Sequence, residues 1–300
     1  MSLINMNNAT KWRHFGSFIS FVLIVLSIIS LSTKGLNFGL DFTGGMISEV
    51  RLDPSLTAND IQHKLEAALH QPVTVVSGGE NGDWVLRYAA PETLSEQPEL
   101  KPLLESFSQN VEMVNVSLMG PQVGQELAEQ GGLAVLITLL VILGYLSFRF
   151  EWRLASGALL ALLHDVVLLL GFFSITGMEF NLTVLAALLA VLGYSLNDSI
   201  IISDRIRELL KANVNLPITE LNNRAIASTL SRTLITSGTT LISVGSLWLL
   251  GGEPLFGFSV TMFIGIVAGT WSTMTIATII PEIAKLGPQH YAPTPISDHP

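Results

Sequence analysis

The sequence predicts a polytopic α-helical membrane protein with six transmembrane helices and a small α+β domain between the first two of them. Its 300 residues are 49% hydrophobic and only 13% charged, whereas a typical globular chain carries about 25% charged residues. Six apolar segments approach the roughly 20 residues that a helix needs to cross a bilayer. One long polar segment separates the first of them from the second.

The six predicted spans are separated by short connections, except after the first. They cover residues 15–32, 132–148, 154–175, 182–203, 225–250 and 257–280. The other predicted segments are an N-terminal segment at 1–14, a domain at 33–130, a loop at 204–224 and a tail at 281–300. The end of this tail, 287–300, is rich in proline and poor in apolar residues, so we expect it to be disordered.

The first span follows Lys11 and Arg13, so it resembles either a cleaved signal peptide or a retained helix. A signal peptide has a shorter apolar core and ends in small residues with an A-x-A-like pattern. The residues at 32–35 are Ser-Thr-Lys-Gly and lack that pattern. A retained transmembrane helix is therefore the preferred interpretation.

The distribution of lysine and arginine predicts the orientation of the chain. Basic residues occupy the N-terminal segment, the connections after the second and fourth spans, and the tail. The short loops on the opposite side contain Glu179 and Glu253 but no basic residue. Because basic loops remain in the cytoplasm, we expect both termini to be cytoplasmic and the domain at 33–130 to be periplasmic.

Composition excludes several kinds of site. The chain has no cysteine, so a disulfide or a thiolate metal site is impossible. Its net charge of −9 disfavours a surface for nucleic acid. No H-E-x-x-H metalloprotease motif occurs. We therefore expect no cofactor, no metal and no nucleic-acid partner.

The polar domain shows the order β-α-β-β-α-β. Strands are predicted at 44–53, 73–77, 84–88 and 111–118, and helices at 57–70 and 99–108. The first strand alternates apolar and polar residues, and the first helix repeats apolar residues at helical spacing behind Thr57 as its N-cap. This order is that of a ferredoxin-like domain.

Three ionisable residues lie inside predicted spans: Asp165 in the third, Asp198 in the fourth and Arg232 in the fifth. A charge in hydrocarbon costs at least about 2.5–3.5 kcal/mol, so such residues face the bundle interior and pair. Asn197 adjoins Asp198. Asp198 and Arg232 either form a static ion pair that fixes helix register, or Asp198 gains and loses a proton while the arginine tunes its pKa.

Asp165 follows His164, and the pair is either part of a proton relay or a hydrogen bond that packs helices. Consecutive residues project from different helix faces, and Ser195 has no evident base nearby in sequence. Both observations disfavour an intramembrane hydrolase.

Small and hydroxyl residues recur at three- and four-residue spacing in the last three spans. They are Ala186, Ala190, Gly193 and Asn197; Thr229, Thr233, Thr236, Thr240 and Ser243; and Gly257, Thr261, Gly265, Gly269 and Thr273. Such stripes alone indicate close helix packing. Together with charges on the same helices, they suggest the walls of a polar pathway.

Several segments resemble the SecF group of the SecD/SecF family of protein-export membrane proteins. They are 35–45 (Gly-Leu-Asn-Phe-Gly-Leu-Asp-Phe-Thr-Gly-Gly), 193–199 continuing to 203–208, 150–153, 164–165 and 231–237. The glycines of the first segment suit turns where the chain leaves the membrane, and Asp41 suits a turn cap. These properties favour a connector over a segment that binds substrate.

The resemblance implies a fold like that of resistance–nodulation–division transporters, in which SecD supplies a second six-helix half. It implies that the chain lies in the lipid bilayer of the bacterial inner membrane and works there with SecD. The two would act beside the SecYEG channel and its associated membrane subunits, on translocating preproteins. The proton-motive force would drive the late, periplasmic stage of export. Asp198 and Arg232, with Asp165 and Asn197, are the expected proton-coupling positions, and a partner aspartate would come from SecD.

The resemblance implies a translocase subunit rather than an enzyme. Half of a small-molecule exporter of the same superfamily is the main alternative. Such an exporter would carry larger external domains than the modest one at 33–130.

Overall fold

The computed structural model describes residues 6–71, 73–78, 82–89, 100–212 and 216–291. Its helices are α1 (Met6–Lys34), α2 (Leu40–Thr43), α3 (Ala58–Leu69), α4 (Leu100–Glu105), α5 (Pro121–Arg149), α6 (Trp152–Thr176), α7 (Leu182–Ala212), α8 (Ile218–Leu250), α9 (Gly252–Thr275) and α10 (Ile279–Ile283). Its strands are β1 (Asn37–Phe38), β2 (Gly45–Arg51), β3 (Val73–Ser77), β4 (Asp83–Tyr88), β5 (Glu112–Met119) and β6 (Glu179–Phe180).

Six helices in the described part of the chain are long and apolar enough to cross a membrane, as the sequence predicts. They are α1, α5, α6, α7, α8 and the segment from α9 through α10. Most extend beyond the predicted spans, because hydropathy marks only the part of a helix that lies in hydrocarbon. Thus α5 begins at Pro121, inside the segment assigned to the polar domain, and α7 continues to Ala212, inside the predicted loop.

The predicted disorder of the tail does not begin at residue 287. Residues 288–290 form a 3₁₀ turn, and the amino group of Lys211 lies 5.8 Å from the ring centre of Tyr291. The remainder of the predicted tail, 292–300, lies outside the described residues. The short ordered segment therefore belongs to the end of the bundle at which α7 terminates.

Helices α6, α7 and α9 form the centre of the bundle. In their most apolar stretches 50%, 44% and 56% of the residues are buried, compared with 22%, 17% and 17% in α1, α5 and α8. The central helices are also where two of the three intramembrane charges occur, Asp165 on α6 and Asp198 on α7.

The glycine stripe of α9 is the surface on which α7 packs. A Cβ atom added at Gly257 would lie 2.9 Å from Val184, and one at Gly269 would lie 2.9 Å from Ser195. Only glycine permits this close approach of the two helices. The stripe on α9 is therefore a helix-packing device, the simpler of the two interpretations that the sequence allowed.

The domain between α1 and α5 has the predicted ferredoxin-like fold. All strand pairs in its four-stranded sheet are antiparallel, and the order is β3-β4-β2-β5, so the first strand lies between the third and the fourth. Helices α3 and α4 bury Ile61, Leu65 and Leu104 against the sheet. Thr57 accepts a hydrogen bond from the amide of Asp60 and caps α3, as predicted.

The glycine-rich segment at 35–45 connects this domain to the membrane bundle. Strand β1 pairs in parallel with β6, and the amide of Gly39 donates to the carbonyl of Phe180 at 2.9 Å. The Asp41 carboxylate accepts a hydrogen bond from the amide of Leu182 at 3.0 Å, so it caps α7 rather than a local turn. The Phe42 ring stacks on Phe180 with centroids 6.0 Å apart. The segment is thus fastened to the start of α7.

Gly124→Ala is expected to lower the free energy of unfolding by about 1–3 kcal/mol, the usual cost of overpacking. The new Cβ would lie 2.7 Å from the carbonyl oxygen of Phe42 and 2.8 Å from the amide nitrogen of Gly44, and backbone atoms cannot rotate away. Denaturant unfolding in mild detergent measures the change.

Gly132→Ala is the matched control, because it lies on the same helix with no neighbouring atom within 4 Å of the new Cβ. It should be neutral or slightly stabilising, since alanine favours helix over glycine by about 1 kcal/mol. Equal losses in both variants would contradict the close contact between α5 and the glycine-rich segment.

Candidate functional site

The residues predicted to form the site lie on three helices, but the structure divides them into two groups. Asp165 on α6 and Asp198 on α7 are buried, with exposed fractions of 0% and 3%. Asn197 on α7 and Arg232 on α8 are exposed on the outer surface of the bundle. The two carboxylates and the two outward-facing groups therefore have different environments.

Asp165 joins the three central helices through its carboxylate. Its Oδ2 atom accepts hydrogen bonds from the hydroxyl of Ser195 on α7 at 2.6 Å and from the hydroxyl of Ser272 on α9 at 3.0 Å. Gly269 makes room for this approach, since its hypothetical Cβ would lie 3.5 Å from the same oxygen. The buried charge is thereby matched with donors from both neighbouring helices.

His164 completes this polar cluster, contrary to the expectation that it would point away from Asp165. Its Nδ1 atom lies 3.0 Å from Oδ1 of Asp165, because the imidazole turns along the helix towards the carboxylate. Its other ring nitrogen, Nε2, is buried and has no hydrogen-bond partner among the described residues. The cluster therefore retains one unused polar atom.

Ser195 contacts an acidic group, although the sequence suggested no base near it. The order of contacts is serine to aspartate to histidine, with Asp165 in the middle. A hydrolytic triad needs the histidine between the other two, in reach of the serine hydroxyl. The cluster is also sealed from solvent, so its geometry does not support the hydrolase hypothesis.

Asp198 and Arg232 do not form the direct ion pair that was one interpretation of the sequence. No nitrogen of Arg232 lies within 4.0 Å of a carboxylate oxygen of Asp198. Arg232 nevertheless lies on the stretch of α8 that runs beside Asp198, because α7 contacts α8 on either side of them, at Tyr194 with Thr240 and at Arg205 with Ser228. The two groups thus interact across a gap, and a small displacement of α8 would change the strength of that interaction.

Helix α8 is attached to the central helices by hydroxyl contacts. The Tyr194 hydroxyl donates to Thr240 at 3.4 Å, and the hydroxyls of Ser237 and Thr270 are 2.9 Å apart. These are weak neutral hydrogen bonds compared with those to the Asp165 carboxylate. These two contacts of α8 with α7 and α9 are therefore made between neutral groups.

The outer surface next to Arg232 carries polar and small residues together with the exposed side chains of Ile235 and Ile242. Its polar and small members are Ala186, Ala190, Gly193 and Asn197 on α7, and Arg232, Thr239, Ser243 and Ser246 on α8. The α8 hydroxyls on this face donate to carbonyls of their own helix, as Thr239 does to Ile235 at 2.9 Å. The hydroxyls are satisfied in this way, but Arg232 has no ion-pair partner among the described residues.

Sequence reasoning identified Asp165 but missed Ser272, which shares its carboxylate. Ser272 lies one position before Thr273, the last member of the α9 stripe, and its spacing carries no separate signal. Only the packing of α9 on α7 brings it to Asp165. No group of three or more histidine or acidic side chains forms a metal site within the described ranges.

Comparison with known proteins identifies the family of the chain. The family model for the C-terminal region of the protein-export membrane proteins SecD and SecF matches residues 99–285, and the model for the SecD/SecF GG motif matches residues 29–55. The chain belongs to the SecD/SecF family. The glycine-rich connector and all the predicted site residues of this SecF-type chain lie within these two matches.

SecF subunits of several bacteria are similar over almost the whole chain. The protein translocase subunit SecF of Vibrio alginolyticus is 40% identical over 288 residues, which are 94% of this chain and 91% of the relative. SecF of Escherichia coli O157:H7 is 40% identical over 283 residues, covering 92% and 87%. The SecF-type assignment is consistent across these relatives.

Two solved structures show the same fold. The crystal structure of SecDF from Thermus thermophilus, described as a translocon-associated membrane protein, matches with a TM-score of 0.78 and 33% identity. A SecDF crystal structure in a super-membrane-facing form matches with a TM-score of 0.72 and 34% identity. Both alignments cover 95% of this chain but only 40% of the SecDF chain, so this chain spans less than half of the SecDF chain.

Ser195→Ala and Ser272→Ala are each expected to lower the free energy of unfolding by about 1–3 kcal/mol, because each removes a donor from a buried carboxylate. The double variant should deviate from additivity, since both hydroxyls bind one oxygen atom. Denaturant unfolding of the four-member mutant cycle in detergent tests this.

Ser246→Ala is the control for loss of a hydroxyl in a spanning helix. Its hydroxyl is exposed and donates to the carbonyl of Ile242 in its own helix. The expected change is within about 0.5 kcal/mol. Similar losses at Ser246 and Ser272 would argue against a special role for the Asp165 cluster.

Proposed function

We propose that this chain is the SecF subunit of the bacterial protein translocase and works with SecD to couple proton movement to the late stage of export. The observation that carries the proposal is the buried Asp198 beside an outward-facing and unpaired Arg232. Neither the burial of Asp198 nor the exposure of an unpaired Arg232 stabilises the isolated chain. Both are explained if a second protein covers this face.

The cost of exposing arginine to lipid supports a protein partner at this surface. A guanidinium in hydrocarbon costs at least about 2.5–3.5 kcal/mol, and the neighbouring Asn197 is also exposed. A partner helix with a carboxylate would neutralise Arg232, and the small residues Ala186, Ala190 and Gly193 would let that helix approach closely. SecD is the natural source, because the solved SecDF chains contain the matching part and a further, larger part.

Proton coupling follows from the gap between Asp198 and Arg232. Burial favours the neutral, protonated carboxyl group, whereas a nearby guanidinium favours the carboxylate. Movement of α8 relative to α7 therefore changes which form is preferred, and proton binding in turn favours one helix arrangement. A proton moving down the membrane potential supplies about 2.3 kcal/mol per 100 mV, which shifts such an equilibrium more than tenfold.

Asp165 and Asn197 are assigned to different parts of this mechanism. The Asp165 oxygens are already engaged by Ser195, Ser272 and His164, which supports a role in holding α6, α7 and α9 as a fixed unit. Asn197 lies on the partner-facing surface beside Asp198 and supplies polar atoms to the proton path.

Movement at Asp198 can reach the external domain through α7. The same helix carries Asp198 in its middle and is capped by Asp41 of the glycine-rich segment at its start. We therefore propose that α7 transmits proton-dependent changes to the domain that meets the translocating preprotein. The SecYEG channel and associated membrane subunits are expected to receive this complex.

The expected orientation places the external domain in the periplasm and both termini in the cytoplasm of the cell, with the helices in the inner membrane. Support comes from the basic residues, which gather at the end of the bundle opposite the domain. There Asp204 accepts hydrogen bonds from Arg149 at 2.7 Å and pairs with Arg207 at 3.0 Å. Basic residues at one end of the spans favour a cytoplasmic location for that end.

Asp198→Asn is expected to abolish the part of preprotein export that depends on the proton gradient, because an amide side chain does not take up and release a proton as a carboxyl group does. The gradient-independent part of export and co-purification with SecD should be unchanged. The measurement compares export into purified vesicles with and without an imposed proton gradient.

Glu208→Gln is the matched control for Asp198→Asn. Glu208 lies on the same helix but is exposed, where it pairs with Arg205 at 2.8 Å. This variant should behave as wild type. Gradient-dependent export that persists in Asp198→Asn would refute the titration role of Asp198.

Arg232→Lys is expected to reduce gradient-dependent export about tenfold, which corresponds to about 1.4 kcal/mol. Lysine keeps the charge but loses the planar fork of donors that a guanidinium presents to a carboxylate. The same vesicle assay measures the effect, with Arg205→Lys in an exposed ion pair as the control. Wild-type activity of Arg232→Lys would indicate that simple charge balance suffices.

A further inference from the structure

A large apolar crevice lies between α1, α8 and α9, with Leu168 of α6 at its floor. Its volume is about 900 Å³, and nearly all of its lining is apolar. Several wall residues, including Leu234, Val267 and Trp271, are exposed, so the crevice opens sideways to the surroundings of the bundle. Its volume is comparable with that of ligand sites, which are about 300–1,000 Å³.

Arg13 lies at one end of this crevice and forms part of its wall. The side chain is 5% exposed, and its Nη2 atom pairs with Glu282 of α10. Its Nε and Nη1 atoms are buried without a hydrogen-bond partner in the described part of the chain. A buried guanidinium with unpaired donors is costly. An oxygen acceptor that bound these two nitrogen atoms would therefore stabilise the structure.

Glu282 does not accept a hydrogen bond from Nε or Nη1 of Arg13. Its carboxylate already receives Arg13 Nη2, the Asn222 amide at 2.8 Å and the His14 ring at 3.1 Å. The unused edge of the Arg13 fork is a separate set of donors. Planar donors of this kind match the oxygens of a phosphate group.

We propose that the crevice binds one anionic membrane phospholipid, with its acyl chains between α1, α8 and α9 and its phosphate beside Arg13, whose guanidinium turns towards it. The position along α1 suits a headgroup, since the adjacent Lys11 and Trp12 are exposed and such residues are typical of the membrane interface. A helix of another protein would match the Arg13 donors only if it carried an acceptor at that point, whereas every anionic phospholipid brings phosphate oxygens. This site is separate from Asp198 and does not depend on proton coupling.

Gly238→Leu tests the apolar half of the site without disturbing the arginine. Gly238 lines the crevice, and no atom lies within 4 Å of a Cβ added there, so the leucine side chain would occupy space that lipid needs. Gly144→Leu on α5 is the matched control, since it also meets no atom within 4 Å but lies outside the crevice.

The double change Arg13→Gln with Glu282→Gln tests the headgroup contact. Changing both residues avoids leaving Glu282 buried without its cation. Lys11→Gln is the control, because Lys11 is an exposed cation on the same helix that does not line the crevice. Elution as a single species in detergent checks that each variant folds.

The experiment reconstitutes the full-length chain in vesicles of phosphatidylethanolamine and phosphatidylglycerol, extracts it gently and counts retained phospholipid by native mass spectrometry. Wild type and both controls should retain one phosphatidylglycerol. Gly238→Leu and the double variant should retain about tenfold less, as expected when one charge-assisted contact or the chain-binding space is lost.

Three outcomes would overturn the proposal. Equal retention of phosphatidylglycerol in all variants would show that the crevice and Arg13 do not form a lipid site. Equal retention of phosphatidylethanolamine and phosphatidylglycerol would show that the site does not select an anionic lipid. Unchanged lipid in Gly238→Leu, with loss in the double variant, would show that the acyl chains do not lie in the crevice.

Discussion

The hydrogen bonds of one buried carboxylate determine how the centre of this bundle is built. Asp165 cannot be left unpaired in a low-dielectric interior, and it is matched by hydroxyls from α7 and α9. That match requires the two helices to approach closely, which the glycines of α9 permit. The central three helices are thus joined through one side chain, and the less buried helices α1, α5 and α8 are arranged around them.

Helix α7 links all the functional features of the chain. Its first turn is capped by Asp41 of the glycine-rich connector, and its middle carries Ser195, which binds Asp165. Asp198 follows one turn later, on the side of Arg232. Near its end, Asp204 binds Arg149. Because the connector is fastened by this cap and by stacked aromatic rings, the external domain is tied to the start of α7.

Two uncovered faces of the bundle differ in chemistry, and the difference indicates what covers each. The face of α7 and α8 around Arg232 exposes an unpaired guanidinium, which is costly to place in lipid. The crevice beside α1 is apolar and ends in the buried donors of Arg13. The first surface therefore suits another protein, whereas the second suits an amphipathic molecule with acyl chains and a phosphate.

The sequence by itself determined the number of spans, the strand and helix order of the external domain, and the positions of the intramembrane charges. These properties depend on local patterns: long apolar segments, alternation with a period of two, and the cost of a charge in hydrocarbon. Residues 35–45 and 193–208 also carried enough specific detail to indicate the family. The exact helix ends were less well predicted, because helices continue beyond the hydrocarbon.

The tertiary structure alone decided which side chains meet. The contact of Ser272 with Asp165, the turn of His164 towards the same carboxylate, and the gap between Asp198 and Arg232 arise from the way separate helices pack. No local pattern records these contacts, because their partners are distant in sequence or depend on a side-chain rotation. The crevice at Arg13 is a property of three helices at once, so it too became visible only when they were placed together.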